Sequence, residues 1–106
     1  MTLPTFDQIA AAAAEIATET IRTPVLSLRS DRWRGILPDA ASITVKLELF
    51  QQAGSFKARG VLLGLRRLDA VQRRVGVVAA SGGNHALAVS WAAQAAGVSA
   101  CIAMPA

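Results

Sequence analysis

Apolar positions fall at helical spacing near the amino terminus and at strand spacing further along. Phe6, Ile9, Ala13 and Ile16 recur every three or four residues, which predicts an amphipathic helix over residues 6–19. Thr5-Phe6-Asp7-Gln8 has the form of a capping box, with Thr5 as cap and Gln8 reaching back. Thr23-Pro24 ends any helix, because proline pushes the residue before it out of the helical region, and Val25 to Leu28 follows as an extended piece. Residues 30–41 contain Gly35 and Pro38 and read as a loop. From Ser42 to Phe50, Ile43, Val45, Leu47 and Leu49 alternate with Thr44, Lys46 and Glu48, the period of a strand. Gln51 to Ser55 reads as a turn. Phe56 to Asp69 reads as a helix with Val61, Leu62, Leu65 and Leu68 on one face. Val75 to Ala80 is a short apolar run of the kind found in buried parallel strands. Asn84 to Ala96 is an alanine-rich helix ended by Gly97, and Ser99 to Ala103 is a last strand.

The order from residue 42 is β-α-β-α-β. Strands separated by helices imply an α/β fold with a parallel sheet and right-handed crossovers. The chain has 106 residues, room for one small domain at most. It stops three residues after its last strand, although a parallel sheet needs cover on both faces. The expectation is therefore an N-terminal part of a longer protein.

Composition narrows the classes. The chain is 53% hydrophobic with mean hydropathy +0.40, much of it alanine, as in Ala10 to Ala14. No stretch approaches ~18 apolar residues without a charge, so no membrane span is expected. Met1 to Asp7 lacks the basic and apolar regions of a signal peptide, which makes a cytoplasmic location the expectation. The single cysteine, Cys101, excludes an internal disulfide and sits in the apolar run Val98 to Met104, so it reads as a small buried hydrophobe. The net charge is +4, but the arginines are scattered. The densest group, Arg66 to Arg74, contains Asp69 and no aromatic, which suits a solvated helix end rather than a nucleic-acid surface. No metal site is expected.

Two segments carry chemistry. Gly54-Ser55-Phe56-Lys57-Ala58-Arg59-Gly60 puts a lysine in the first turn of a helix, with Ser55 as the expected cap. The positive end of the helix dipole and an apolar neighbour such as Phe56 both favour an uncharged amine, the form that attacks an aldehyde. Ala80-Ser81-Gly82-Gly83-Asn84-His85 joins a strand to a helix through small residues, the pattern of an anion site at a helix N-terminus. It lacks the lysine of a phosphate P-loop and the glycine spacing of a dinucleotide fingerprint. The plainer alternatives are a solvated lysine, a tight βα turn capped by Asn84, and a packed His85.

Together these segments resemble the fold type II (tryptophan synthase β-like) pyridoxal-phosphate enzymes, and within them the serine/threonine dehydratases and the related serine racemases. The likeness extends to Thr23-Pro24 with Leu26, to Lys46-Leu47-Glu48, and to Ala92-Ala93. Threonine and cysteine synthases carry aspartate where this chain has Ala58 and threonine where it has His85, so both departures favour the dehydratase branch. Serine racemases carry a serine at the position of Gly82 as their second acid/base, which disfavours racemisation.

The resemblance implies two α/β domains, residues 1–70 beginning the larger and 71–106 the smaller. It implies pyridoxal 5'-phosphate as cofactor and Lys57 as the Schiff-base lysine that also abstracts the α-proton. Phe56 would pack on the cofactor ring and Asn84 would bind its phenolic oxygen. Ser81, Gly82, Gly83, Asn84 and His85 would cradle the carboxylate of a small amino-acid substrate. The reaction would remove water and ammonia from L-threonine or L-serine to give a 2-keto acid, in a homo-oligomer with no nucleic-acid or membrane partner. The alternatives are a racemase or threonine synthase-like enzyme, and a non-catalytic α/β module. The family's phosphate-binding loop lies downstream of the matching segments. This polypeptide alone is therefore expected to bind cofactor weakly and not to turn over.

Overall fold

The computed structural model describes residues 3–28, 35–36 and 42–105. Helix α1 spans Phe6–Glu15 and opens on the expected capping box. The Thr5 amide donates to Gln8 Oε1 at 2.9 Å and the Gln8 amide to Thr5 Oγ1 at 3.3 Å. It is shorter than the expected 6–19, giving way to turns from Ile16, where the Thr20 hydroxyl bonds back to the Ile16 carbonyl. Of its apolar stripe only Ile16 is buried, while Phe6 and Ile9 face outward. The loop expected at residues 30–41 lies mostly outside the described residues.

Strand β1 (Val25–Leu28) pairs antiparallel with β2 (Ile43–Lys46), Val25 opposite Lys46 and Leu28 opposite Ile43. This corrects two expectations. The strand read over 42–50 stops at Lys46, and single 3-10 turns at Glu48–Phe50 and Gln52–Gly54 follow. The apolar–polar alternation continues past Lys46, but the Glu48 side chain is drawn to Thr23 and Arg59 and the backbone bends. The single parallel sheet is also replaced among the described residues: β2 joins β1, and a separate pair holds the parallel strands.

Helix α2 spans Lys57–Arg66 and helix α3 Ala70–Val75. The expected helix over 56–69 is divided because Asp69 and Gln72 form a second capping box (2.8 and 3.0 Å) that starts α3. Val75 consequently ends a helix instead of beginning a strand. Strand β3 (Val77–Ala80), helix α4 (Asn84–Ala96) and strand β4 (Ala100–Ala103) form the expected parallel βαβ unit, with Val77 beside Ala100 and Ala80 beside Ala103. Gly76 joins α3 to β3 at φ +86°, where an added Cβ would lie 2.6 Å from the Ser99 carbonyl oxygen, so only glycine fits. Gly97, left-handed at φ 63°, ends α4 as expected.

The core lies between α2 and α4. Leu62 and Leu65 pack with Ala92, Ala93 and Ile16. Small alanines on α4 let the two helices approach closely. The outer face of the β3–β4 pair is open: Val78 is 81% exposed, and its neighbour Cys101 is exposed as well. The expected burial of Cys101 is thus corrected, because α4 covers only one face of the pair. No helix among the described residues is long and apolar enough to cross a membrane.

Candidate functional site

One face of α2 and the start of α4 border an open surface groove of about 540 Å³. Lys57, Gly60, Val61 and Gly64 line it, spaced as one side of a helix requires, together with Phe56, Leu65 and His85. An added Cβ at Gly60 or Gly64 would meet no heavy atom within 4 Å, so the wall beside the lysine is flat and clear. Lys57 is exposed, and no carboxylate of the described residues pairs with it. The two segments singled out in the sequence thus meet, Phe56 and Lys57 from one and His85 from the other.

The rest of the second segment lies at the N-terminus of α4, beside the groove-lining residues rather than among them. The Ser81 amide continues the ladder to the Ala103 carbonyl (2.9 Å), and the Ser81 hydroxyl accepts from the Gly83 amide (3.2 Å). Gly83 stands at the cap position with no side-chain cap, which leaves the first-turn amides of α4 open to an anion. Gly82, Gly83 and Asn84 are exposed. An added Cβ at Gly82 would lie 3.2 Å from Pro105 Cδ.

Ser55 does not cap α2. The cap position falls on Phe56 without a side-chain bond, and the Ser55 hydroxyl is buried with no partner. Just ahead of it the chain turns tightly, with Ala53 at φ 57° and Gly54 at φ 67°. A left-handed alanine costs about 1 kcal/mol or more, and surrounding contacts must hold it. Buried Gln51 supplies such contacts, accepting from the Ile21 amide (2.9 Å) and donating to the Ile21 carbonyl (2.8 Å).

Sequence reasoning missed a polar network beneath this turn. Arg59 grips Glu48 with Nε to Oε2 and Nη2 to Oε1, both 2.8 Å, and donates to the Ile21 carbonyl at 3.0 Å. Buried Thr23 donates to Glu48, and Lys46 Nζ donates to the Thr23 carbonyl at 3.0 Å. In the alternating strand pattern Glu48 was only one of the polar positions opposite the apolar face. The one available signal was an acidic residue eleven positions ahead of Arg59. The Arg59 guanidinium, helped by the Thr23 hydroxyl, holds the Glu48 carboxyl down at about 2, against an ordinary 4.5. A depressed carboxyl stabilises the fold fully above pH 4.5 and loses that contribution as the pH falls towards 2. The urea midpoint should therefore fall across this window, and Glu48→Gln should flatten the profile there.

Residues 16–106 match the family model for the pyridoxal-phosphate dependent enzymes, and the chain belongs to that family. It is 38% identical over 105 residues to a serine racemase of Schizosaccharomyces pombe, covering 99% of this chain and 31% of the relative. It is 39% identical over 106 residues to an L-threo-3-hydroxyaspartate ammonia-lyase of a Pseudomonas species, covering 99% and 32%. Among solved structures it resembles maize serine racemase, with a TM-score of 0.79, 40% identity, and 94% and 30% of the two chains covered. The chain spans about a third of the length of these relatives. The α/β architecture is that of fold type II pyridoxal-phosphate enzymes.

The residues present fit such a cofactor. A solvent-accessible primary amine, an aromatic ring and a glycine-cleared wall share one groove, next to an uncapped helix N-terminus. This is the donor set an aldehyde on a flat aromatic ring requires.

Proposed function

We propose that the protein carrying this chain is a pyridoxal-phosphate-dependent lyase that removes water and ammonia from a small hydroxyamino acid, L-threonine or L-serine being the first choices. The observation that carries this reading is the shared groove: Lys57 from α2 and Phe56 at its cap position face the same space as His85 from α4. When bound, the cofactor supplies an aldehyde for the amine and an electron sink for the carbanion. Lys57 would hold the aldehyde carbon and would move the α-proton at Nζ. Phe56 would pack against the ring. Asn84 offers a donor and an acceptor for the ring oxygen. The first-turn amides of α4, arranged by Ser81, Gly82, Gly83, Asn84 and His85, orient the substrate carboxylate.

Racemisation is the second reading, since racemases are among the similar proteins. A racemase needs an acid/base on each face of the substrate α-carbon. Gly82 brings no such group, and a side chain there would press on Pro105. The division near residue 70 into a larger and a smaller domain, and assembly into an oligomer, belong to the same proposal.

The test is direct. The whole protein that carries this chain, supplied with cofactor and L-threonine or L-serine, is expected to release a 2-keto acid and ammonia in equal amounts. A D-amino acid as the main product, or consumption of phosphohomoserine alone, would count against the lyase reading.

A further inference from the structure

We infer that the Glu48–Arg59 pair is a positioning device that sets the rotation of α2 and thereby aims Lys57 into the groove. The inference rests on Lys57 being the cofactor lysine. Successive residues of a helix are turned by about 100°, so Arg59 lies on nearly the opposite side of α2 from Lys57. Between them is the buried side, Ala58, Leu62 and Leu65.

Burial of apolar surface is a non-directional force, and α2 lacks a capping bond that would fix its first turn. The two parallel bonds from Arg59 to Glu48 supply a directional anchor at its third residue. Glu48 is in turn held by Thr23, and Arg59 also bonds the Ile21 carbonyl, which ties this anchor to the segment clasped by Gln51. Glu48 is 17% exposed and Arg59 31%, so solvent screens the pair only partly. With that face of α2 pinned, Lys57, Gly60, Val61 and Gly64 are turned towards His85.

The readout is where pyridoxal phosphate condenses. An amine adds to the aldehyde carbon, water leaves, and borohydride supplies the hydride that fixes the carbon–nitrogen bond. Peptide mass spectrometry then reports the ratio of adduct-bearing to free Lys57, with Lys46 left out of the comparison because it bonds the Thr23 carbonyl and pairs with Glu48 in the same network. In the native protein Lys57 should carry most of the adduct. In Arg59→Gln this ratio should fall by about fivefold or more, since small misplacements of a reacting group have large kinetic effects. Glu48→Gln keeps the shape and weakens the grip, so it should lower the ratio in the same direction. Arg67→Gln removes the ion pair with Glu15 at the other end of α2 and should leave the ratio within about twofold.

An unchanged ratio in folded Arg59→Gln and Glu48→Gln would overturn the inference while leaving Lys57 as the cofactor lysine. Equal loss in Arg67→Gln would overturn it too, because general loosening would then be the cause. Loss of the helical circular dichroism signal in both Arg59→Gln and Glu48→Gln would assign the pair to folding instead of aim. Absence of a preferred Lys57 adduct in the whole protein that carries this chain would remove the proposed function itself, and this inference with it.

Discussion

The native protein is expected to show a borohydride-reducible visible absorbance with pyridoxal phosphate, and Lys57→Ala is expected to abolish it. Specific adduct should drop by about tenfold or more, because the nucleophile that makes the bond is gone and no neighbour replaces it. Lys46, the only other lysine, lies on β2 and is engaged with the Thr23 carbonyl, so it is poorly placed to substitute. The substitution should leave the fold intact, since Lys57 is exposed and lines the groove without an ion partner among the described residues. Matching thermal transitions with a lost band would support the assignment. A band of undiminished strength in Lys57→Ala would mean that another amine takes the aldehyde.

Leu62→Ala should have the largest effect on stability. Leu62 is fully buried at the α2–α4 contact, where its neighbours include alanines too short to fill the space it would leave. Truncating a buried leucine costs about 2–5 kcal/mol, a large part of the roughly 5–15 kcal/mol that holds an ordinary domain together. The core is small and rests on few large side chains, so the loss cannot be shared widely. Urea titration should show a midpoint reduced by half or more, or no folded baseline. Val71→Ala, on the exposed side of α3, should shift the midpoint little. Similar shifts for the two variants would show that α2 and α4 do not form the stabilising core.

The lysine segment and the glycine turn were legible because their chemistry is written in consecutive residues. Lys57 falls in the first turn of a helix, and Gly83-Asn84 opens another. Each follows from local spacing, whereas the groove to which Phe56, Lys57 and His85 contribute depends on how α2 and α4 pack. The capping box at Thr5 and the left-handed Gly97 were equally readable. Asp69 and Gln72 form the same kind of signal as Thr5 and Gln8, yet the apolar periodicity running through Leu68 masked it. Ser55 was misread for a related reason. Its position suits a cap, but its hydroxyl is turned into the protein, where it finds no partner.

The sequence by itself determined the local elements, the lysine-bearing helix start and the small-residue turn, since helix caps, strand alternation and glycine conformations act over a few residues. Only the tertiary structure decided that β2 pairs with β1, that Cys101 faces outward, and that Glu48 reaches Arg59 instead of water. Those outcomes depend on which distant segments meet. A strand with one polar face can satisfy its backbone with any suitable neighbour, and a carboxylate settles wherever a guanidinium lies within reach.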